Sequence, residues 1–273
     1  MNLYLFMEAS LTQLFIFGLV AALANVLGGL ILFPPGIHQN LKKALKYILA
    51  LSAGFMLSVV FVDVLPEVIE IWQAKNATFS ADALVAPMLL LLGGYLLTQF
   101  FEHTIAPHFH LGEEVHADHL IPARSAYTAV GGILIHTFFD GVSIAAAAQV
   151  DFQVGILVFL AILLHKFPEG FTIASMILAA GKGFREVLIS TSLIGLTTLV
   201  GVLLFYFVGQ NVGFTTAYAL PLASGVTLYV AASDLIPEVN HHGGKRPLVS
   251  LSVFAGVALF FALHSLLHSA LGK

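Results

Sequence analysis

Two consecutive apolar segments decide the fold: AYTAVGGILIHTFFDGVSIAAAAQ at residues 126–149 and FQVGILVFLAILLHKFPEGFTIASMILAA at residues 152–180. An α-helix needs about 20 residues to cross a hydrocarbon core about 30 Å thick, and both segments are long enough. Strands of a membrane barrel would instead alternate over about 10 residues. Each segment carries ionisable residues near its middle, where charge is costly. The pair therefore predicts two membrane helices with a polar site between them.

The rest of the chain has the composition of a membrane protein. Of its 273 residues, 59% are hydrophobic and 10% are charged, and the mean hydropathy is +0.96. A soluble domain averages about 25% charged residues, so a soluble globular enzyme and a disordered chain are both excluded. The absence of cysteine excludes disulfides and thiolate metal sites. The net charge of −4 excludes a basic surface for nucleic acid, whereas 12 histidines are numerous for so apolar a chain.

Apolar runs between short polar loops predict an all-α integral membrane protein with eight transmembrane helices in one domain over residues 1–273. The predicted spans, one to eight, are residues 10–33, 45–72, 84–106, 126–149, 152–180, 185–209, 216–239 and 247–270. Eight of the 11 Lys and Arg residues lie in loops on one side, whereas Lys75 and Lys273 lie on the other. By the positive-inside rule, both termini are expected outside the cytoplasm of a plasma (inner) membrane.

An internal repeat relates the two ends of the chain. Residues 51–68, LSAGFMLSVVFVDVLPEV, align without gaps to residues 222–239, LASGVTLYVAASDLIPEV, with eight of 18 positions identical. The two segments cross the membrane in opposite directions, which predicts a 3+2+3 arrangement with an inverted repeat of spans one to three and six to eight. Inverted repeats are typical of transporters. Chance similarity between two Leu/Val-rich helices is the alternative.

Spans four and five each carry a His with a carboxylate four residues later, His136 with Asp140 and His165 with Glu169. Positions i and i+4 share one helix face, about 6 Å apart along the axis. Two imidazoles and two carboxylates suit Zn²⁺, and also Fe²⁺, Mn²⁺ or Cd²⁺, whereas Mg²⁺ and Ca²⁺ prefer oxygen ligands alone. The alternative is a structural network in which each His bonds its own carboxylate.

The motifs HTFFDG (136–141) and HKFPEG (165–170) resemble the span-four and span-five signatures of bacterial-type members of the ZIP family of divalent-metal transporters. The resemblance implies a transport site formed by His136, Asp140, His165 and Glu169, with the metal as substrate and no organic cofactor. It also implies a homodimer in the lipid bilayer. An elevator-like motion of spans one, four, five and six against spans two, three, seven and eight is implied as well.

Two residues depart from the binuclear form of the family pattern. Thr137 stands where an Asn often follows the first His, and Lys166 stands where an Asp or Asn helps to bind a second metal. An ammonium group has no lone pair and cannot be a ligand. We therefore expect Lys166 to offset one carboxylate and the site to bind one metal per protomer. Snorkelling of Lys166 to an interface is the alternative.

Other ionisable residues lie near span ends and in the loop at about 107–125. Asp63 and Glu67 are expected to form an entrance relay, and Asp234 and Glu238 an exit relay. Ordinary interfacial carboxylates are the alternative. The residues with possible metal-binding roles in the loop are His108, His110, His116 and His119. Histidine tracts of this kind often bind metal without being needed for transport. His264 and His268 are expected to be interfacial or packed.

Together these features predict uptake of a divalent transition metal into the cytoplasm by alternating access. An intramembrane zinc hydrolase would use similar ligands with metal-bound water as the nucleophile, but it normally needs a separate base, and the HExxH motif is absent. A metal sensor without turnover is the third alternative. No GxxxxGK[ST] loop for ATP is present, so we expect a secondary transporter rather than an enzyme.

Overall fold

A computed structural model describes residues 9–34, 37–74, 81–104, 123–209, 213–243 and 246–270. Over these residues the secondary structure is helical, with no strand, so the all-α prediction is confirmed. Seven helices of the described chain are long and apolar enough to cross a membrane. Span seven, which contains the second copy of the repeat, is also helical and packs among these seven helices.

The eight helices keep the span numbers of the sequence analysis. Spans one, three, four and five are Leu11–Leu30, Ala81–Thr104, Ala123–Val150 and Phe152–Ala179. Spans six and eight are Phe184–Gly209 and Pro247–Ala270. Span two comprises Ile37–Ser58, Val59–Val64 and Leu65–Ala74, and span seven comprises Gly213–Tyr229, Val230–Leu235 and Ile236–Gly243. The central segment of span two and that of span seven are each one turn of π-helix.

The two π-helical segments occupy the same position in the two copies of the repeat. Val59–Val64 contains Asp63, and Val230–Leu235 contains Asp234. A proline follows two residues after each segment, Pro66 and Pro237. Because proline lacks an N–H and clashes with the carbonyl four residues earlier, a wider turn lets the helix continue through it. Sequence similarity and backbone irregularity therefore coincide in both halves.

Close contacts between backbones follow the same symmetry. Gly54 and Gly225 are equivalent positions of the repeat. A Cβ atom on Gly54 would run into the carbonyl of Val253 on span eight, and one on Gly225 would run into the carbonyl of Leu91 on span three. Small residues permit this approach between membrane helices. Span two packs on span eight as span seven packs on span three, which is the relation that an inverted repeat predicts.

The helices pack as two groups of four. Spans one, four, five and six form the first group, in which span one lies along spans five and six, and span six lies along span four. Spans two, three, seven and eight form the second group. Spans four and seven, and spans two and five, provide the main contacts between the groups. Large apolar side chains are exposed along spans one, three, six and eight, so the more buried helices carry the polar site.

Candidate metal site

Spans four and five bring the four predicted ligands together. His136 and Asp140 lie one turn apart on span four, and His165 and Glu169 lie one turn apart on span five. None of the four residues exposes more than 1% of its surface. Four ionisable side chains buried this completely inside apolar helices need partners, because an unpaired charge in such surroundings is strongly destabilising.

The pairing runs between the helices rather than along them. Nε2 of His136 lies 3.3 Å from Oε2 of Glu169, and Nε2 of His165 lies 3.3 Å from Oδ2 of Asp140. His165 is farther from the carboxylate of its own helix, since Nε2 lies 3.9 Å from Oε2 of Glu169. The crossed pairs turn all four side chains toward one region between spans four and five.

Lys166 joins the two carboxylates. Its Nζ lies 2.8 Å from Oδ2 of Asp140 and 2.8 Å from Oε2 of Glu169, with the hydroxyl of Thr137 at 3.4 Å. The lysine is fully buried, so its ammonium group does not extend to an interface as snorkelling would require. One ammonium and two carboxylates give this cluster a formal charge of −1.

The tautomer of His165 suits a ligand. Its Nδ1 lies 3.2 Å from the carbonyl oxygen of Ala161, one turn earlier on the same helix. A carbonyl can only accept, so Nδ1 carries a proton, and Nε2, which faces the carboxylate of Asp140, is the nitrogen that a neutral ring would offer to a metal. A hydrogen bond of this kind, from the nitrogen that does not bind the metal, is usual for metal-binding histidines.

His136, Asp140 and Glu169 form a group that can hold a metal ion. One potential ligand atom from each lies within 4.8 Å of the others. Zn²⁺ with ligands at about 2.1 Å in tetrahedral geometry would hold ligand atoms about 3.4 Å apart. Nε2 of His136 and Oε2 of Glu169 already lie at about that distance, 3.3 Å, so a metal would draw inward only the more distant ligand atoms. His165 lies beside the group through its contact with Asp140.

Glu102 of span three is a neighbour of the site for which the sequence predicts no role. Its Oε1 lies 3.2 Å from Nδ1 of His136. Glu102 stands near the end of its helix with no motif around it, so only the packing of spans three and four reveals the contact. It links the second helix group to a residue of the first.

The predicted relay residues have different surroundings. Asp63 and Asp234 are both buried, with 7% and 8% of their surfaces exposed. Oδ1 of Asp63 lies 3.1 Å from Nδ1 of His264 on span eight, so His264 is a carboxylate partner as well as a packed residue. Its ring stacks on that of His268. The relay role itself remains a prediction.

The remaining predicted residues are described only in part. Glu67 is half-buried on span two, whereas for Glu238 only its helix, Ile236–Gly243, is described. The loop histidines are outside the described residues altogether, namely His108, His110, His116 and His119. Their predicted metal binding therefore stays a prediction.

The family model for the ZIP zinc transporters matches residues 112–264, more than half of the chain. The chain belongs to the ZIP zinc transporter family. The matched region contains both motifs, HTFFDG and HKFPEG, from which the resemblance was inferred. The predicted family is thereby confirmed.

Individual relatives are similar at moderate identity. "Zinc transporter ZIP9-B" of Xenopus laevis is 25% identical over 237 residues, covering 74% of this chain and 78% of that protein. "Zinc transporter ZIP10" of the mouse is 30% identical over 124 residues, covering 45% of this chain. Human "Metal cation symporter ZIP8" is 31% identical over 106 residues, covering 39% of this chain. The match spans only 15% of the length of ZIP10.

Proposed function

We propose that this chain carries divalent transition-metal ions, Zn²⁺ first among them, across a membrane into the cytoplasm. The proposed site is His136, Asp140, His165 and Glu169. The observation that carries the proposal is the pair of crossed contacts at 3.3 Å between spans four and five, buried inside helices that belong to a ZIP zinc transporter. Family membership favours a carrier over the intramembrane hydrolase and the sensor.

The donor set supports borderline transition metals as substrates. Two imidazole nitrogens and two carboxylates suit Zn²⁺, and also Fe²⁺, Mn²⁺ or Cd²⁺ where those metals are more available. Lys166 supports one metal per protomer, because its ammonium group holds both carboxylates and contributes no lone pair. Ligands must be deprotonated to bind, so protons would compete with the metal.

The division into two helix groups supports an elevator-like mechanism. The proposed ligands lie on spans four and five, within the first group. A Cβ atom added to many of the described glycines would run into the backbone of another helix. In each case the two helices belong to the same group. Close glycine packing holds each group together. Among the described glycines, none makes such a contact between the two groups, which suits a sliding motion.

The relays and the assembly complete the proposal. A small cavity is lined by Val60 and Val64 of the π-helical segment of span two, next to Asp63, and by Ala161 of span five, whose carbonyl oxygen faces His165. We infer that Asp63 and Glu67 receive the hydrated ion and that Asp234 and Glu238 pass it on. We also infer a homodimer in a plasma membrane with both termini outside, as the family resemblance and the positive-inside rule imply.

Uptake into proteoliposomes tests the proposal. Zn²⁺, Fe²⁺, Mn²⁺ and Cd²⁺ are offered to the wild type, to His165→Ala and to His268→Ala as the matched control, because His268 is exposed on span eight. We expect saturable uptake of at least one metal that His165→Ala abolishes and His268→Ala retains. Metal binding to the wild type without any uptake would contradict a carrier and favour the sensor or the hydrolase.

A further inference from the structure

A lone asparagine on span one contacts the proposed site. Asn25 stands in the apolar run GLVAALANVLGGL at residues 18–30 and is fully buried. A buried amide inside a membrane helix is costly unless it is hydrogen-bonded. Its Nδ2 donates a hydrogen bond of 2.6 Å to Oε1 of Glu169. Span one, which carries none of the four predicted ligands, therefore touches one of them directly.

The backbone packing makes this contact possible. A Cβ atom on Gly170 would run into the carbonyl oxygen of Asn25, and one on Gly28 would run into the carbonyl oxygen of Phe167. Two reciprocal glycine contacts, about one turn apart, hold spans one and five at backbone distance. The glycine after the carboxylate of HKFPEG thus brings Glu169 within reach of the short Asn25 side chain.

The other end of the amide has no partner. An ionised carboxylate only accepts, so the NH₂ end of Asn25 must be the end that faces Glu169. Its Oδ1 is buried and has no hydrogen-bond partner among the described residues. Leaving a buried acceptor unsatisfied is costly, and such groups call for an explanation. Asparagine carbonyl oxygens are ligands of divalent cations, so a metal at Glu169 would give Oδ1 a partner.

The inverted repeat supplies a comparison within the same protein. On span six the carbonyl of Thr198 meets the glycine after Asp140, Gly141, as the carbonyl of Asn25 meets Gly170. Thr198 is fully buried, and its hydroxyl has no hydrogen-bond partner among the described residues. Of the two equivalent positions, only the asparagine is bonded to the neighbouring carboxylate. Thr198 is therefore a matched control for a buried polar residue in the same helix group.

We propose that Asn25 belongs to the metal site, where its NH₂ group positions Glu169 and its Oδ1 is a further, neutral oxygen ligand. The inference rests on the proposed function, because it assumes that the metal binds at Glu169. A neutral oxygen raises the number of ligands without adding charge. Mn²⁺ prefers six oxygen-rich ligands, whereas Zn²⁺ is satisfied by four. Asn25 would accordingly widen the range of metals that the site accepts.

The test compares metal affinities of the purified full chain. Kd values for Mn²⁺ and Zn²⁺ are measured for the wild type, for Asn25→Leu, which keeps the size and removes both polar atoms, and for Thr198→Val. We expect Asn25→Leu to raise the Kd for Mn²⁺ about 10- to 100-fold, the range for residues that orient or complete a metal site. The Kd for Zn²⁺ should rise less, and Thr198→Val should change neither.

The visible spectrum of bound Co²⁺ reports the number of ligands independently of transport. Loss of a ligand in Asn25→Leu should shift the spectrum toward the more intense four-coordinate form. An unchanged spectrum, or equal losses for Mn²⁺ and Zn²⁺, would overturn the proposal. If Asn25→Leu does not fold, Asn25→Ser replaces it with the same expected order of metals. Failure of the proposed function would differ, since the wild type would then bind metal without any uptake, whatever the effect of Asn25→Leu on the Kd values.

Discussion

Replacing Lys166 with methionine should tighten metal binding. Its Nζ lies 2.8 Å from a carboxylate oxygen of Asp140 and 2.8 Å from one of Glu169. Removing one partner of a buried ion pair costs about 3–5 kcal/mol, because the other charge stays buried without compensation. In Lys166→Met a bound dication would compensate the carboxylates in place of the ammonium group. The metal-free form of the variant therefore carries most of the penalty, and metal binding relieves it. An energy of about 3 kcal/mol corresponds to about 150-fold in Kd.

Proton uptake by the two carboxylates would relieve part of the penalty, so we expect the Kd of Lys166→Met to fall at least about tenfold at neutral pH. Competition with a fluorescent chelator, on purified protein, measures it. Lys182→Met is the matched control, because Lys182 is exposed after span five and should leave the Kd unchanged. Tighter binding should also slow metal release and lower the maximal uptake rate. An unchanged or higher Kd would refute the view that the ammonium group competes with the metal.

Three further predictions concern residues that surround the site or lie between the two helix groups. Gly170→Ala should destabilise the protein by about 1–3 kcal/mol through overpacking and abolish uptake. Gly131 has open space around it, so Gly131→Ala should change neither the melting temperature nor the uptake rate. Glu102→Leu should raise the metal Kd about 10- to 100-fold, because the carboxylate orients the site histidine of span four. A disulfide in Ser143→Cys/Thr227→Cys, whose wild-type hydroxyl oxygens are 3.5 Å apart across the two groups, should stop uptake until it is reduced. Uptake by the oxidised protein would contradict relative motion there.

Some features of the site are readable from local sequence because they depend on helical spacing alone. The i, i+4 pairs His136/Asp140 and His165/Glu169 predict two polar faces within apolar helices, and those faces meet in the structure. The buried position of Lys166 follows from its placement in mid-span. In both cases the relevant residues lie within one turn of each other.

Other features depend on packing between distant segments. Glu102 approaches His136 across a loop, and Asn25 approaches Glu169 from 144 positions away in the chain. No local spacing encodes either contact. For Asn25 there was one usable signal, a single polar side chain in the apolar run at residues 18–30, because polar groups within membrane helices are usually buried and partnered. The repeat in the sequence predicts that spans two and seven are equivalent. The π-helical turns at Asp63 and Asp234 are visible only in the backbone of the structure.

The distribution of charge over the two helix groups bears on how the carrier would move. The charged cluster lies entirely on spans four and five and consists of Asp140, Glu169 and Lys166. Its ion pairs would therefore move together with the first group. Moving them together breaks none of their contacts, and the cluster keeps a formal charge of −1 rather than −2. Contacts across the groups are different in kind. The pair of Glu102 and His136 must break if span four slides past span three, so its loss would accompany each movement of the site. Lys166 would then lower the barrier for return without metal, while Glu102 would hold the carrier at one end of its path.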